Sequence, residues 1–489
     1  MTLLEAMQVG AGIPGGGSSR RWFCVHLLAA LLFLVHPSSS LSAPPLMDKS
    51  PFLLIWNAPT EKCGTSHNAS LNLRFFQYVT SPKLTATNQN LTLFYEDRLG
   101  TYPYIDVVTG QSVNGGIPQR LALAGHLQKA AEDIRMYMPS GQQAGLAVID
   151  WESWRPTWAR NWAFKRVYQS QSLAAALLQD QSLTKSRASL VAKRTFEDAA
   201  QRLMLETLAL GKSLRPATFW GYYLFPQCYN YDYKQNPNNY TGICPDIEKK
   251  RNDDLHWLWQ ESTALYPSIY LETVLRSSPN AALYSRNQIQ EAKRVSTIHR
   301  QNAPLPIYVF ARPVFTNAPT VFLHQDDLVN TIGESAALGV SGIIMWGDLS
   351  FSKSVASCRN LDEYLQNTLN PYVINVTLAA KLCSQLLCQG KGVCTRRNWN
   401  ISDYLHLNPQ NFNIKASKHG KFSVIGHPTV EDFQEMAAKF KCSCYAGNDC
   451  LQEANMANIR NAPICISDDV CIMTENSTLI NSGNTSSSS

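Results

Sequence analysis

Two acids two residues apart offer this chain its clearest chemistry. The apolar run Leu146-Ala147-Val148-Ile149 leads directly into Asp150-Trp151-Glu152. Alternation along a strand puts residues i and i+2 on one face, so the two carboxyls would lie about 5–7 Å apart. Each makes the other harder to ionise, and one can keep a proton near neutrality. A carboxyl holding such a proton can deliver it to a glycosidic oxygen. Alone, a D-x-E at a strand end equally describes a solvated rim. The surroundings favour sugar chemistry: Trp151, Trp154, Trp158 and Trp162 cluster with Arg155 and Arg160, and Tyr95, Tyr222, Tyr223, Tyr270 and Trp346 stand at other strand ends. Aromatic faces stack on sugar rings, and Arg forks onto sugar carboxylates. For any single ring the plain alternative is ordinary core packing.

These residues need a scaffold that brings strand ends together. Phe52 to Trp56, Leu91 to Tyr95, Leu146 to Ile149, Thr218 to Phe225, Ser268 to Leu271, Ile307 to Phe310 and Gly342 to Trp346 read as strands. Leu127, Ala130, Ala131, Ile134 and Met138 fall at helical spacing before Pro139, and Phe196, Ala199, Ala200 and Leu203 mark a second helix that closes near Gly211. A further helical stretch covers Asp326 to Leu338. Such βα alternation predicts an α/β fold with a parallel sheet, a (β/α) barrel of the TIM type, whose chemistry sits at the C-terminal strand ends. A doubly wound open sheet is the alternative, but its Gly-rich phosphate loop is missing: Gly15-Gly16-Gly17 falls in the leader.

The chain of 489 residues suits one large domain and a small one. With 45% hydrophobic and 16% charged residues its composition is that of a globular protein. A net charge of +6 suits an anionic substrate but is too weak and scattered to indicate nucleic acid. Arg20 and Arg21 precede an apolar run from Trp22 to Val35 and a small-residue stretch through Ser42 and Ala43, the pattern of a secretory signal over residues 1–42. An uncleaved anchor in that segment would be the one route to a membrane. Export fits the cysteines: setting aside Cys24 in the leader, the 13 become 12, an even number suited to disulfides rather than zinc. Sequons stand at Asn68, Asn90, Asn239, Asn375, Asn400, Asn476 and Asn484. The barrel is expected over residues 43–370. The crowded cysteines of residues 371–473 read as a small disulfide-held module resembling an EGF-like domain with a long insertion. Residues 474–489, rich in Ser, Thr and Asn, read as a disordered tail.

The stretch from Val148 through Asp150-Trp151-Glu152-Ser153-Trp154-Arg155-Pro156-Thr157-Trp158 to Trp162 resembles the signature of glycoside hydrolase family 56, the hyaluronidases. Ile55-Trp56-Asn57-Ala58-Pro59, Leu265-Tyr266-Pro267-Ser268-Ile269-Tyr270 and Thr331-Ile332-Gly333-Glu334-Ser335 agree with it, and the likeness runs from about Phe52 to Cys471. The C-terminal pattern, through Tyr404-Leu405-His406-Leu407-Asn408-Pro409, resembles the mammalian sperm-surface branch, which implies an extracellular place on the sperm acrosome or cell surface. The resemblance implies that Glu152 is the general acid and that Asp150 orients the substrate acetamido group, whose own carbonyl oxygen is the nucleophile. It implies that Tyr223, Tyr270, Tyr95 and Trp346 line the reacting subsite, with Ser268, Arg155, Gln227 and Gln288 at its margins. It also implies the disulfides Cys63–Cys358, Cys228–Cys244, Cys383–Cys394, Cys388–Cys442, Cys444–Cys450 and Cys465–Cys471. No metal or organic cofactor is implied, and a monomer is expected.

Two positions depart from the family pattern. Gln227 follows Phe225-Pro226 where mammalian members carry Asp, although venom relatives lack that Asp too. Gln288, four residues after Tyr284, stands where an Arg of the active-site cleft is usual. Losing one charge of each sign leaves the sum unchanged, and the two amides are expected to hydrogen-bond each other. An Arg lost near the acid should also make the acid harder to ionise. The expected function is endo-hydrolysis of hyaluronan at β-1,4 bonds after N-acetylhexosamine. The alternatives are a weakly active barrel that binds glycans or an egg-coat partner, and a chondroitin hydrolase.

Overall fold

In a computed structural model, residues 41–142, 144–298, 303–417, 420–450 and 463–473 are described. The expected leader over 1–40, the sequons at Asn476 and Asn484 and the tail from 474 lie outside the described residues. Seven strands carry the fold: β1 Leu53–Asn57, β2 Tyr78–Thr80, β3 Leu91–Tyr95, β4 Gly145–Asp150, β5 Thr218–Tyr222, β6 Tyr308–Ala311 and β7 Gly342–Trp346. All pair in parallel, in the orders β2–β1–β7–β6 and β3–β4–β5. Isolated parallel bridges Tyr223↔Tyr266, Leu265↔Ile307 and Ser268↔Phe310 join the two sets through residues 265–268. Among the described residues no ladder connects β2 to β3, so the strands form an open arc rather than the closed ring expected.

Alternation decides which side chains face inward. Leu53 and Ile55, Leu91 and Leu93, Leu146 and Val148, Tyr308 and Phe310, and Ile344 pack with one another in an inner cluster. The intervening residues, among them Leu54, Phe94, Ala147, Ile149 and Met345, pack outward into the larger core that the helices cover. The principal covering helices are α1 Leu123–Tyr137, α2 Lys185–Leu214, α3 Pro279–Thr297 and α4 Asn370–Cys388. Gly221 is needed for closeness: a Cβ there would lie 2.4 Å from the carbonyl oxygen of Ala264.

Several elements differ from the sequence reading. Strand β5 stops at Tyr222 rather than Phe225, and Ser268–Leu271 is not a ladder strand. Pro267 supplies no N–H there, so only its carbonyl, which accepts from Phe310, and the Ile269 N–H, which donates to Phe310, hold the segment to β6. The helix expected over Asp326–Leu338 is present as a continuous run from Gln325 to Ala337, with a π-turn at Val329–Gly333 inside it. Residues 371–473 open inside α4, and then pair strands Gly392–Arg396 and Phe440–Tyr445 antiparallel. Leu41–Ser42, assigned by the sequence to the leader, runs parallel to Cys444–Tyr445.

Disulfides join Cys63–Cys358, Cys383–Cys394, Cys388–Cys442, Cys444–Cys450 and Cys465–Cys471. Cys228 and Cys244 are buried but unbonded, unlike the pairing the resemblance implies. The two thiols lie side by side, and the Cys244 sulfur also faces the Cys228 carbonyl oxygen at 3.4 Å. The sulfurs of Cys442, Cys444 and Cys450 crowd within 4.8 Å of one another because two disulfides adjoin there.

Candidate active site

The parity that buries Leu146 and Val148 carries Asp150 to the inner face at the C-terminal end of β4. By the same rule Leu91 and Leu93 lead to Tyr95, and Ile344 leads to Trp346. Tyr95 stands directly opposite Asp150 in the β3–β4 register. The Trp346 indole donates to the Tyr95 hydroxyl at 3.2 Å. Tyr270 stacks on Trp346 with centroids 6.3 Å apart, and Tyr223 meets Tyr270 at 6.3 Å. Tyr95, Trp346, Tyr270 and Tyr223 thus form a continuous aromatic wall around the carboxylates. Ser268 lies on the same segment and shares a hydrogen bond with Tyr223.

The two acids live in unlike surroundings. One oxygen of Asp150, Oδ1, is sealed from solvent with no hydrogen-bond partner. Burial, and next the charge of Glu152, hold the Asp150 carboxyl well above the usual carboxylate range. Glu152 points outward, with 51% of its side chain exposed, and Arg155 reaches its carboxylate at 3.3 Å. Arg155 is itself 6% exposed and also donates to the Glu152 carbonyl at 3.0 Å. Lys165 donates to the carbonyls of Glu152 and Ser153, and the Ser153 hydroxyl donates to Glu96 at 2.9 Å. The backbone under the outer acid is therefore pinned by two cations and a hydroxyl. Below it, Trp151 stacks on Tyr102 at 4.7 Å and meets the edge of buried His126, whose imidazole burial pushes down to about 4.

Gln227 and Gln288 are not brought together at that centre. Gln288 lies on α3, 4% exposed, and its amide donates to Asn230 Oδ1 at 2.9 Å. The expected Gln227–Gln288 bond is absent among the described residues, because Asn230 arrives first. Its own amide is engaged by the carbonyls of Gly242 and Tyr284, which leaves its oxygen to receive Gln288. The Gln227 side-chain oxygen is buried without a partner. Of the described sequons, Asn68, Asn239 and Asn400 are exposed, whereas Asn90 and Asn375 are half-buried. The Asn375 side-chain oxygen accepts from the Leu407 N–H at 2.8 Å, and Thr377 is buried.

Sequence reasoning missed three cations at the wall. Arg312 lies 4.9 Å from the Trp346 ring centroid and pairs with Asp348 at 3.0 Å. Lys83 and Arg98 lie over Tyr95, at 5.5 and 5.2 Å. Arg312 was findable, since it follows the end of β6, where a barrel puts its chemistry. Lys83 and Arg98 come from connections with no such signal. With an aromatic wall, five flanking cations and a half-buried acid beside an exposed one, the centre can bind an anionic sugar chain and move a proton.

Comparison with known proteins agrees with this geometry. The sequence model of the family described as hyaluronidase matches residues 41–455. The chain is 53% identical to mouse hyaluronidase-5 over 447 residues, covering 91% of this chain and 84% of that one. It is 53% identical to human hyaluronidase PH-20 over 431 residues, 88% of this chain and 84% of that one. Human hyaluronidase-4 is 42% identical over 445 residues, 90% and 91% of the two chains. Bee venom hyaluronidase, solved in complex with a hyaluronic acid tetramer, superposes with a TM-score of 0.59 at 29% identity, covering 66% of this chain and 98% of that one. The chain belongs to the hyaluronidase family of glycoside hydrolases.

Proposed function

We propose that this protein is an endo-acting hyaluronidase that hydrolyses the β-1,4 bond after N-acetylhexosamine in hyaluronan. One observation carries the reading: two carboxyls two residues apart at a strand end, one half-buried and one exposed. Glu152, exposed and held by Arg155, is positioned to protonate the leaving oxygen and then to take a proton from the attacking water. Asp150, whose carboxyl burial and then Glu152 hold well above the usual carboxylate range, is suited to hold the substrate acetamido group. The carbonyl oxygen of that group attacks the anomeric carbon, the bond to the leaving sugar breaks, and water opens the cyclic intermediate with net retention. Tyr95, Trp346, Tyr270 and Tyr223 would stack the rings, with Ser268 at the wall, while Arg312 faces a sugar carboxylate and Arg155 holds Glu152. Gln227 and Gln288 would act only through the loop that Asn230 anchors.

The binding-only alternative rested on Gln288 as a cleft residue. Its burial against Asn230, away from the two acids, favours the hydrolase reading. The strands are read as a barrel over residues 43–370 and the segment 371–473 as an EGF-like module, in a monomer working outside the cell. Among the described residues no helix is long and apolar enough to cross a membrane.

Product analysis in isotopically labelled water tests the chemistry. The label should appear on the anomeric carbon of N-acetylhexosamine with the β configuration kept, and de-N-acetylated hyaluronan should resist cleavage. An unsaturated uronate product, or equal cleavage of the de-N-acetylated chain, would overturn it.

A further inference from the structure

The turns above β4 and β5 carry a second set of rings that the reaction centre does not use. Trp162 and Tyr231 are each 39% exposed, and Phe164 is 66% exposed. A single exposed ring needs no explanation, but Trp162 and Tyr231 belong to a connected row, and Phe164 follows Trp162 two residues on. Trp162 packs edge-on against Tyr229 at 5.1 Å, Tyr229 against Tyr231 at 6.0 Å, and Tyr231 against buried Tyr284 at 6.0 Å. The half-buried and buried rings act as a footing that holds the exposed ones still.

Cations accompany the row. Lys165 lies 4.6 Å from the centre of Phe164, Arg251 5.9 Å from that of Trp162, and Arg160 5.1 Å from that of Tyr229. Arg160 pairs with Glu248 at 2.5 Å and Arg251 pairs with the same carboxylate, so two guanidiniums share one negative charge. Lys165 is held by carbonyl oxygens rather than by a carboxylate. Lys234, near Tyr231, is matched by Glu272 at 2.6 Å and adds no surplus. Arg160 is buried, so the cations that accompany the exposed rings are Lys165 and Arg251, on turns that leave the strands bearing Asp150 and Tyr222. Phe164 adjoins the reaction centre, because Lys165 touches both its ring and the backbone of Glu152.

We propose that Trp162, Phe164 and Tyr231, with Lys165 and Arg251, form an outer track that receives a stretch of anionic sugar chain beyond the reaction centre. Ring faces would take the apolar faces of successive sugars, and the surplus cations would meet their carboxylates. This rests on the reading of the protein as a hyaluronidase and adds to it an expectation, that long chains are captured better than short ones. The track makes no contact with the reacting bond, so it should act on capture and leave the chemical step alone.

The test compares polymeric hyaluronan with a defined hexasaccharide, using Trp162→Ala, Phe164→Ala, Tyr231→Ala and the triple variant. Leu190→Ala, at an exposed apolar position on α2, serves as control. The triple variant should raise KM for the polymer about tenfold or more, with kcat and hexasaccharide cleavage close to parental. Trp162→Tyr and Tyr231→Phe should recover most of the loss, with melting temperatures showing that all variants fold. Equal losses on both substrates, or no loss on either, would overturn the track while the functional reading stands. A parent chain that cleaves neither substrate would overturn that reading and the track with it.

Discussion

The Arg155 guanidinium spans Glu152, meeting its carboxylate at 3.3 Å with one nitrogen and its carbonyl oxygen at 3.0 Å with the other. A planar fork can hold backbone and side chain of one residue together, and a lysine ammonium at the same place cannot reach both. Arg155→Lys should therefore lower kcat on hyaluronan by roughly 10- to 100-fold, the size of losing a charged hydrogen bond worth about 1.5–3 kcal/mol. Steady-state kinetics would show it, and a variant with parental kcat would break the link between the fork and the acid.

Asp150 supplies a pH signature. Its carboxyl is raised by burial and then by Glu152, so the folded protein keeps a proton that the unfolded chain releases above about pH 3.9. Between that value and the raised one, stability falls as pH rises, and it is fully present below. Asp150→Asn removes this titration with little change of shape. Its melting temperature relative to the parent should rise between pH 4 and pH 7 by roughly two degrees or more, while activity drops by orders of magnitude. A difference in melting temperature that stays constant across that range would contradict the account.

Gln288 is closed in by Asn230, and no carboxylate is hydrogen-bonded to it. Gln288→Arg on its own should place a cation without a paired acid in a buried site, at a cost of about 3–5 kcal/mol. Chemical denaturation should reveal the loss, together with a reduced yield of active protein. A variant as stable as the parent with a changed pH profile would mean that this position senses the acid directly.

Far from the acids, Glu334 is wholly buried between Arg286 at 2.6 Å and Arg396 at 2.9 Å, with the Tyr404 hydroxyl at 3.0 Å. It ties α3 to the segment after Gly392–Arg396. Glu334→Gln would leave two buried guanidiniums without their counter-charge, and should cost about 3–5 kcal/mol. Denaturation midpoints would measure this, and secreted activity should fall in proportion to folded protein, with KM unchanged.

The parts of the site that could be read in advance were those governed by local periodicity. Leu91–Tyr95 and Gly342–Trp346 form strands just where their apolar runs indicate, and the parity of β4 carried Asp150 inward. The family signature supplied the remaining roles as expectations. Contacts made across turns were not readable. Lys165 returns to Glu152 over a turn of two 3-10 segments, and Asn230 meets Gln288 because the loop from Cys228 to Cys244 folds inward. Neither contact has a spacing rule behind it. The interruption at Pro267 was readable, since a residue without an N–H argues against a ladder strand, and the run pairs there only by isolated bridges.

The division of labour between the two acids is tested most directly by hyaluronan depolymerisation with Glu152→Gln beside the parent, each with binding measured separately. The account predicts that the parent cleaves the polymer and that Glu152→Gln binds it as tightly but turns over slower by about 100-fold or more. Cleavage by Glu152→Gln at the parental rate would contradict it.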